Sequence, residues 1–153
     1  NEFDIGKSLR DATVKDIKNL ISFLNEFHDI SGYSDIKVQE KVTEQNLQIM
    51  LSTPMHKIWV AEKDSKICGA LGVVSQQLWF CKRHYTTNLF FCVNDQGKGS
   101  GAFLLRRFKR WVDSRPIIKD VTLSITSEIK DKDRVGKLYQ AVGFKEIGGI
   151  FRL

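Results

Sequence analysis

Proline is scarce in this chain of 153 residues, occurring only at Pro54 and Pro116, and no stretch has the glycine, serine or proline content of a linker. Nothing divides the chain, and its length suits a single domain spanning residues 1–153. No apolar run approaches the roughly 20 residues needed to cross a bilayer, and no secretory stretch opens the chain, so a cytoplasmic protein is expected. Cysteine is also sparse. Cys68, Cys81 and Cys92 are odd in number, lie in strand-like segments and lack CxxC spacing, which excludes a disulfide framework and suits buried free thiols. The histidines, His28, His56 and His84, stand far apart, so no metal site is expected. Two enzyme signatures are missing as well. Without GxxxxGK[ST] there is no Walker-type nucleotide site, and Ser100 sits in GKGSGA with no histidine after it, which removes a serine-hydrolase reading.

What is present is a basic, globular composition. Apolar residues make up 42% and charged residues 27%, enough for a real core, and the net charge of +6 favours an anionic ligand or surface. Val14, Ile17, Leu20, Ile21, Leu24 and Phe27 recur at helical spacing behind Thr13, with Asp16 three residues on to complete a cap. Residues 33–51 read as one or two amphipathic helices ending before Pro54. KIWVAEK (57–63), a turn at Asp64-Ser65 and ICGALGVVSQQLWF (67–80) read as a β-hairpin. After a basic turn, Lys82 to Tyr85, the uncharged run TTNLFFCV (86–93) suggests a central strand buried on both faces. Leu104, Leu105, Phe108, Trp111 and Val112 mark an amphipathic helix closed by Pro116, and VTLSI (121–125) a further strand. Val135, Leu138, Tyr139 and Val142 form a last helical stripe ended by Gly143, and residues 144–153 read as a final strand pair. The sum is one α/β or α+β domain with a mixed sheet.

The informative unit is the strand, loop and helix around Gln96-Gly97-Lys98-Gly99-Ser100-Gly101-Ala102. Three glycines at alternate positions let the backbone turn tightly and approach a ligand, while the following helix offers unpaired N–H groups and the positive end of its dipole. Lys98, Arg106, Arg107, Lys109 and Arg110 add positive charge, or simply solvate a helix face. Such a loop suits a phosphate. Gly97-x-Gly99-x-x-Ala102 satisfies the dinucleotide pattern, yet the loop comes too late in the chain, and Asp120 precedes the next strand where a ribose-binding acid would follow it.

Gln96 to Gly101 also fits (Q/R)xxGx(G/A), and Leu138-Tyr139-Gln140-Ala141-Val142-Gly143-Phe144 fits LYxxxGF. With Leu9 to Thr13 before the first helix, these motifs make the chain resemble the GCN5-related N-acetyltransferase (GNAT) family over its whole length, and within it the small bacterial and phage-type members. That resemblance implies a mixed, mostly antiparallel sheet flanked by helices. It further implies acetyl-CoA as cosubstrate and acetyl transfer to a primary amine by direct attack in a ternary complex. Gln96, Gly97, Lys98, Gly99, Ser100, Gly101 and Ala102 would hold the pyrophosphate, and the main chain of Phe91, Cys92 and Val93 would flank the pantetheine arm. Tyr139 would protonate the departing thiolate; read from its stripe alone, it equally packs in the core. Cys92 reads otherwise as a small buried apolar residue. Where many family members carry an Asn one or two turns before this tyrosine, the chain has Lys132, Asp133 and Arg134.

No residue stands out as the base that deprotonates the amine. Glu26, His28, His84 and Asp95 are all candidates, and residues 86–93 contain no carboxylate. The resemblance places the acceptor, a small-molecule or protein amine, on the side of the first helix through Pro54 and the Lys82 to Tyr85 turn, and allows a homodimer. The alternative is a catalytically silent GNAT-like domain that binds nucleic acid or a protein through basic and aromatic residues such as Trp79 to Tyr85, although no recognised nucleic-acid motif is present.

Overall fold

The computed structural model describes residues 7–125 and 132–153. In chain order its elements are β1 (Lys7–Asp11), α1 (Ile17–His28), α2 (Glu40–Ser52), β2 (Lys57–Lys63), β3 (Lys66–Gln77), β4 (His84–Val93), α3 (Ser100–Asp113), β5 (Ile118–Thr122) and α4 (Lys132–Val142). The strands form one sheet in the order β1-β2-β3-β4-β5, antiparallel except for the parallel pair β4–β5, which α3 connects. This is the mixed, mostly antiparallel sheet with flanking helices that the motifs implied.

Alternation along β2 distributes its side chains to two cores. Ile58 and Val60 pack with Leu20, Phe23, Leu47 and Met50 of α1 and α2, whereas Trp59 and Ala61 pack with Leu104, Leu105, Phe108 and Trp111 of α3. The Trp59 ring lies 5.8 Å from Phe108 and 5.7 Å from Trp111, centroid to centroid. The β2–β3 hairpin turns on Asp64 and Ser65, both at positive φ (52° and 64°), as a tight twisted turn requires.

The entry to α1 is held by charge. Arg10 on β1 donates to both carboxylate oxygens of Asp16, at 2.8 and 2.7 Å, and pairs with Glu62 on β2, while Asp16 also accepts from the Thr13 amide at 2.7 Å. These bonds to Arg10 hold the Asp16 carboxyl below its usual range. Val14 belongs to a single 3-10 turn, Val14–Asp16, and is exposed, so the apolar stripe of α1 begins at Ile17.

The strand read over 67–80 ends at Gln77, with Trp79 and Phe80 exposed beyond it, and four further expectations need correction. Of residues 33–51 only those from Glu40 on are helical, because Val38 and the residues before it present no continuous apolar stripe to the sheet. The fifth strand is Ile118–Thr122, three residues earlier than VTLSI; its pairing starts where Ile118, buried, meets His84. The uncharged run of β4 is mostly half-buried rather than enclosed, since β5 covers only its first part. Residues 144–153 form no strand: Ile147, Ile150, Phe151 and Leu153 all lie exposed, and Gly148 and Gly149 have no side chain to pack. Without an alternate apolar face on the core, the segment after Phe144 does not join the sheet.

Candidate functional site

Strands β4 and β5 pair only from His84–Thr87 against Ile118–Thr122. Beyond that rung, among the described residues, β4 has no strand on its β5 side. On the other side the β3–β4 register jumps from Gly72↔Phe90 to Val73↔Asn88, so Leu89 is a bulge residue, 60% exposed at the place where the strands part. Asn88 bridges the parting, its Oδ1 accepting from Ser124 N at 2.9 Å and from Ser124 Oγ at 3.3 Å.

The ladder decides which main-chain groups of β4 face the parting. Asn94 N donates to Cys68 O of β3 at 3.0 Å, so by alternation the N–H and C=O of Cys92 also point to β3 and those of Phe91 and Val93 point away. Of the three residues expected along the pantetheine arm, Phe91 and Val93 therefore turn their main-chain groups away from β3, and Cys92 turns its own toward it. Its thiol, half-buried, is pushed up to about 12 by burial.

The glycine loop continues from β4. Asn94 starts a 3-10 turn over Asp95–Gly97, its Oδ1 accepting from Gly97 N at 3.1 Å. Gly97 is buried, and a Cβ there would stand 2.2 Å from Cys68 O, so only glycine fits. Gly99 has φ +92°, with open space where its Cβ would be. Ser100, buried, donates its hydroxyl to Gly97 O and locks the turn from inside. The amides of Gly97 and Lys98 are spent on Asn94 and Asp95. Those of Gly99, Ser100, Gly101 and Ala102 are the N–H groups that the first turn of α3 leaves without helical partners. Gln96 and Lys98 are exposed beside them. Of the cationic residues on α3, Lys109 donates to Val142 O at 3.3 Å, which ties it to the end of α4.

Tyr139 on α4 is 7% exposed, stacks on Phe91 at 6.1 Å between centroids and meets Phe144 at 6.3 Å. Its hydroxyl donates to Ser124 O at 3.2 Å, at the same parting. Burial, and secondarily the Cys92 thiol, push its phenol up to about 12. Gly101 brings α3 close here, since a Cβ on it would lie 3.1 Å from Leu138 and 3.3 Å from Phe91. The fold thus gathers the loop, Phe91, Val93 and Tyr139 around one side of β4.

Of the base candidates, only Asp95 belongs to the gathered loop. His84 begins β4, at the end opposite the loop, with a buried Nδ1. His28 Nε2 lies 2.7 Å from Ile36 O past the end of α1, Glu26 is on the same helix, and Asp95 is exposed in the loop. No cluster of metal-binding side chains occurs among the described residues. Nor, among them, is any helix long and apolar enough to cross a membrane. Asn88, Leu89 and Ser124 did not emerge from the sequence, because a bulge depends on strand register; Asn94 could have, since Asn ahead of a glycine turn is a known side-chain cap.

No protein-family model matches the chain, and no curated protein matches its sequence. Solved structures do match. An aminoglycoside acetyltransferase from an uncultured soil metagenomic sample superposes with a TM-score of 0.74 at 14% identity, covering 98% of this chain and 97% of its own. A GNAT-family acetyltransferase from Streptococcus pneumoniae gives 0.75 at 23% identity, covering 93% and 86%. Glucosamine-6-phosphate N-acetyltransferase from Arabidopsis thaliana gives 0.73 at 14% identity, covering 96% and 97%. The chain has the fold of the GNAT acetyltransferases.

Proposed function

We propose that the protein is an acetyl-CoA-dependent N-acetyltransferase acting on a primary amine. The observation that carries this reading is the row of amides from Gly99 to Ala102 left without helical partners at the start of α3, opening beside a β4 edge that, among the described residues, has no neighbouring strand past Thr87. The amides and the helix dipole suit a diphosphate, and the outward main-chain groups of Phe91 and Val93 suit the amide-bearing arm of the cosubstrate. The thioester carbonyl would then lie near the Leu89 bulge, where a main-chain N–H polarises it. The amine nitrogen attacks the carbonyl carbon, the C–S bond breaks, and the thiolate takes the Tyr139 proton. The attacking nitrogen loses one proton to solvent, and the Tyr139 phenolate takes one back from solvent, so the step closes with amide and thiol as products. Burial keeps the Tyr139 phenol protonated at neutral pH, so its proton is in place when the thiolate departs.

The structural neighbours are described as acting on aminoglycosides and on glucosamine 6-phosphate. A small amine is accordingly the acceptor class we favour, with Glu26, Asp29, Asp35 and Glu40 able to attract its charge. The cytoplasm is the compartment we favour, because Cys68, Cys81 and Cys92 form no disulfide among the described residues. Calorimetry with CoA tests the reading: the wild-type chain should bind, and Gly99→Val should not. Absence of binding by the wild type would overturn it. One observation favours a second reading, a silent domain binding nucleic acid: Trp79 is 93% exposed and Phe80 65%, next to Lys82 and Arg83. Gel shifts at two salt concentrations, set beside thiol release from acetyl-CoA, separate the two.

A further inference from the structure

We propose that Asn88 is a positioning residue: its side-chain carbonyl pins Ser124, and so sets how far the chain after β5 stands from β4 and where the Tyr139 hydroxyl rests. The role in turnover rests on the acetyltransferase reading; the latch itself does not.

The last main-chain rung between the strands is Thr87↔Thr122. One step further, Asn88 Oδ1 takes the place of a main-chain carbonyl, receiving Ser124 N at 2.9 Å and Ser124 Oγ at 3.3 Å. A main-chain rung would keep the strands at ordinary sheet spacing and continue the sheet. A side-chain rung holds the second chain farther away, yet at a defined distance. Ser124 N–H is an obligate donor, so the oxygen of the amide must face it, and only acceptor capacity is used. The next link is Tyr139, whose hydroxyl donates to Ser124 O at 3.2 Å. The phenol ring is fixed by Phe91 and Phe144, but the direction of its O–H bond is fixed by that carbonyl. Asn88 therefore acts on Tyr139 through Ser124. Leu89, the bulge residue, follows immediately, so the latch also marks where β4 leaves its register with β3.

An acceptor-only role makes aspartate a working substitute and alanine a failing one. The experiment compares wild type, Asn88→Ala and Asn88→Asp by amide exchange at Ser124, by CoA calorimetry, and by kcat and KM for acetyl-CoA with an amine from a panel. In Asn88→Ala the Ser124 amide should exchange about tenfold faster and kcat should fall about tenfold, the equivalent of losing one hydrogen bond of ordinary strength. CoA affinity should stay within about twofold, because the loop at Gly99 to Ala102 is untouched. Asn88→Asp should recover both amide protection and kcat. Unchanged exchange in Asn88→Ala overturns the latch. Changed exchange with unchanged kcat, a loss confined to KM, or a loss that aspartate does not restore overturns the positioning role. A wild-type chain that binds no CoA removes the acetyltransferase reading and this role together, while the exchange comparison still decides the latch.

Discussion

At the scale of single residues, burial gives Tyr139 two consequences that a solvent-exposed tyrosine would not have. Its phenol, pushed up to about 12, lies above the value near 10 that it has in an unfolded chain. The folded state thus holds this proton more tightly, so the contribution to stability is complete below pH ~10 and is lost as pH rises through about 12. Tyr139→Phe should flatten that alkaline loss in chemical-denaturation curves measured from pH 9 to 12. The same substitution should lower kcat by roughly 10²-fold, the scale of a lost general acid, with CoA affinity nearly unchanged. A rate equal to wild type would leave Tyr139 as a core aromatic and nothing more. Asp16 has the opposite sign. Held low by Arg10, its carboxylate stabilises the fold above pH ~4 and ceases to as pH falls through its lowered value. Asp16→Asn should cost about 1–2 kcal/mol at pH 7, and the gap to wild type should close in strong acid.

At the scale of elements, the loop between β4 and α3 separates two kinds of glycine. Gly97 is required by space, since any side chain meets the Cys68 carbonyl, whereas Gly99 is required by its φ of +92° alone. Gly97→Ala should therefore lower stability by about 3 kcal/mol or displace the loop. Gly99→Val should cost about 1–2 kcal/mol, remain folded, and lose CoA. Thermal melts alongside calorimetry check both, and a Gly99→Val chain that binds CoA normally would mean the loop does not hold the diphosphate. The sequence made this loop legible because three alternate glycines between an uncharged strand and an amphipathic helix have few other uses. The hairpin turn at Asp64-Ser65, the end of α4 at Gly143 and the α1 stripe, all but Val14 at its start, were legible for the same reason: local chemistry decides them. What eluded it depends on partners. The β4 run looked like an enclosed strand because composition cannot tell that β5 stops at Thr122, and the bulge at Leu89 exists only in the register with Gly72 and Val73. The apolar residues at 147, 150, 151 and 153 looked like strands because their pattern does not reveal whether a core face receives them.

At the scale of the whole molecule, the sheet is a partition with a core on each face, and the candidate site lies where the partition is incomplete. Leu104, Leu105, Phe108 and Tyr139 belong to one core, so α3 and α4, which bring the loop and the phenol to the parting, are anchored by the same apolar contacts. A ligand spanning the loop and the β4 edge would touch the sheet, α3 and the neighbourhood of α4 at once, and would bind the folded chain only. Mass action then converts affinity into stability: at 100 times its dissociation constant such a ligand adds about 2.7 kcal/mol. For a chain of this size that corresponds to a rise in Tm of roughly 5–10 °C. CoA should produce this shift in wild type and in Tyr139→Phe, which keeps the loop, and none in Gly99→Val, which loses it. Because the attraction is partly between a chain of net charge +6 and an anion, the shift at fixed CoA concentration should shrink as salt rises. A shift of equal size in Gly99→Val would place the anion elsewhere on the basic surface and detach the loop from the function assigned to it.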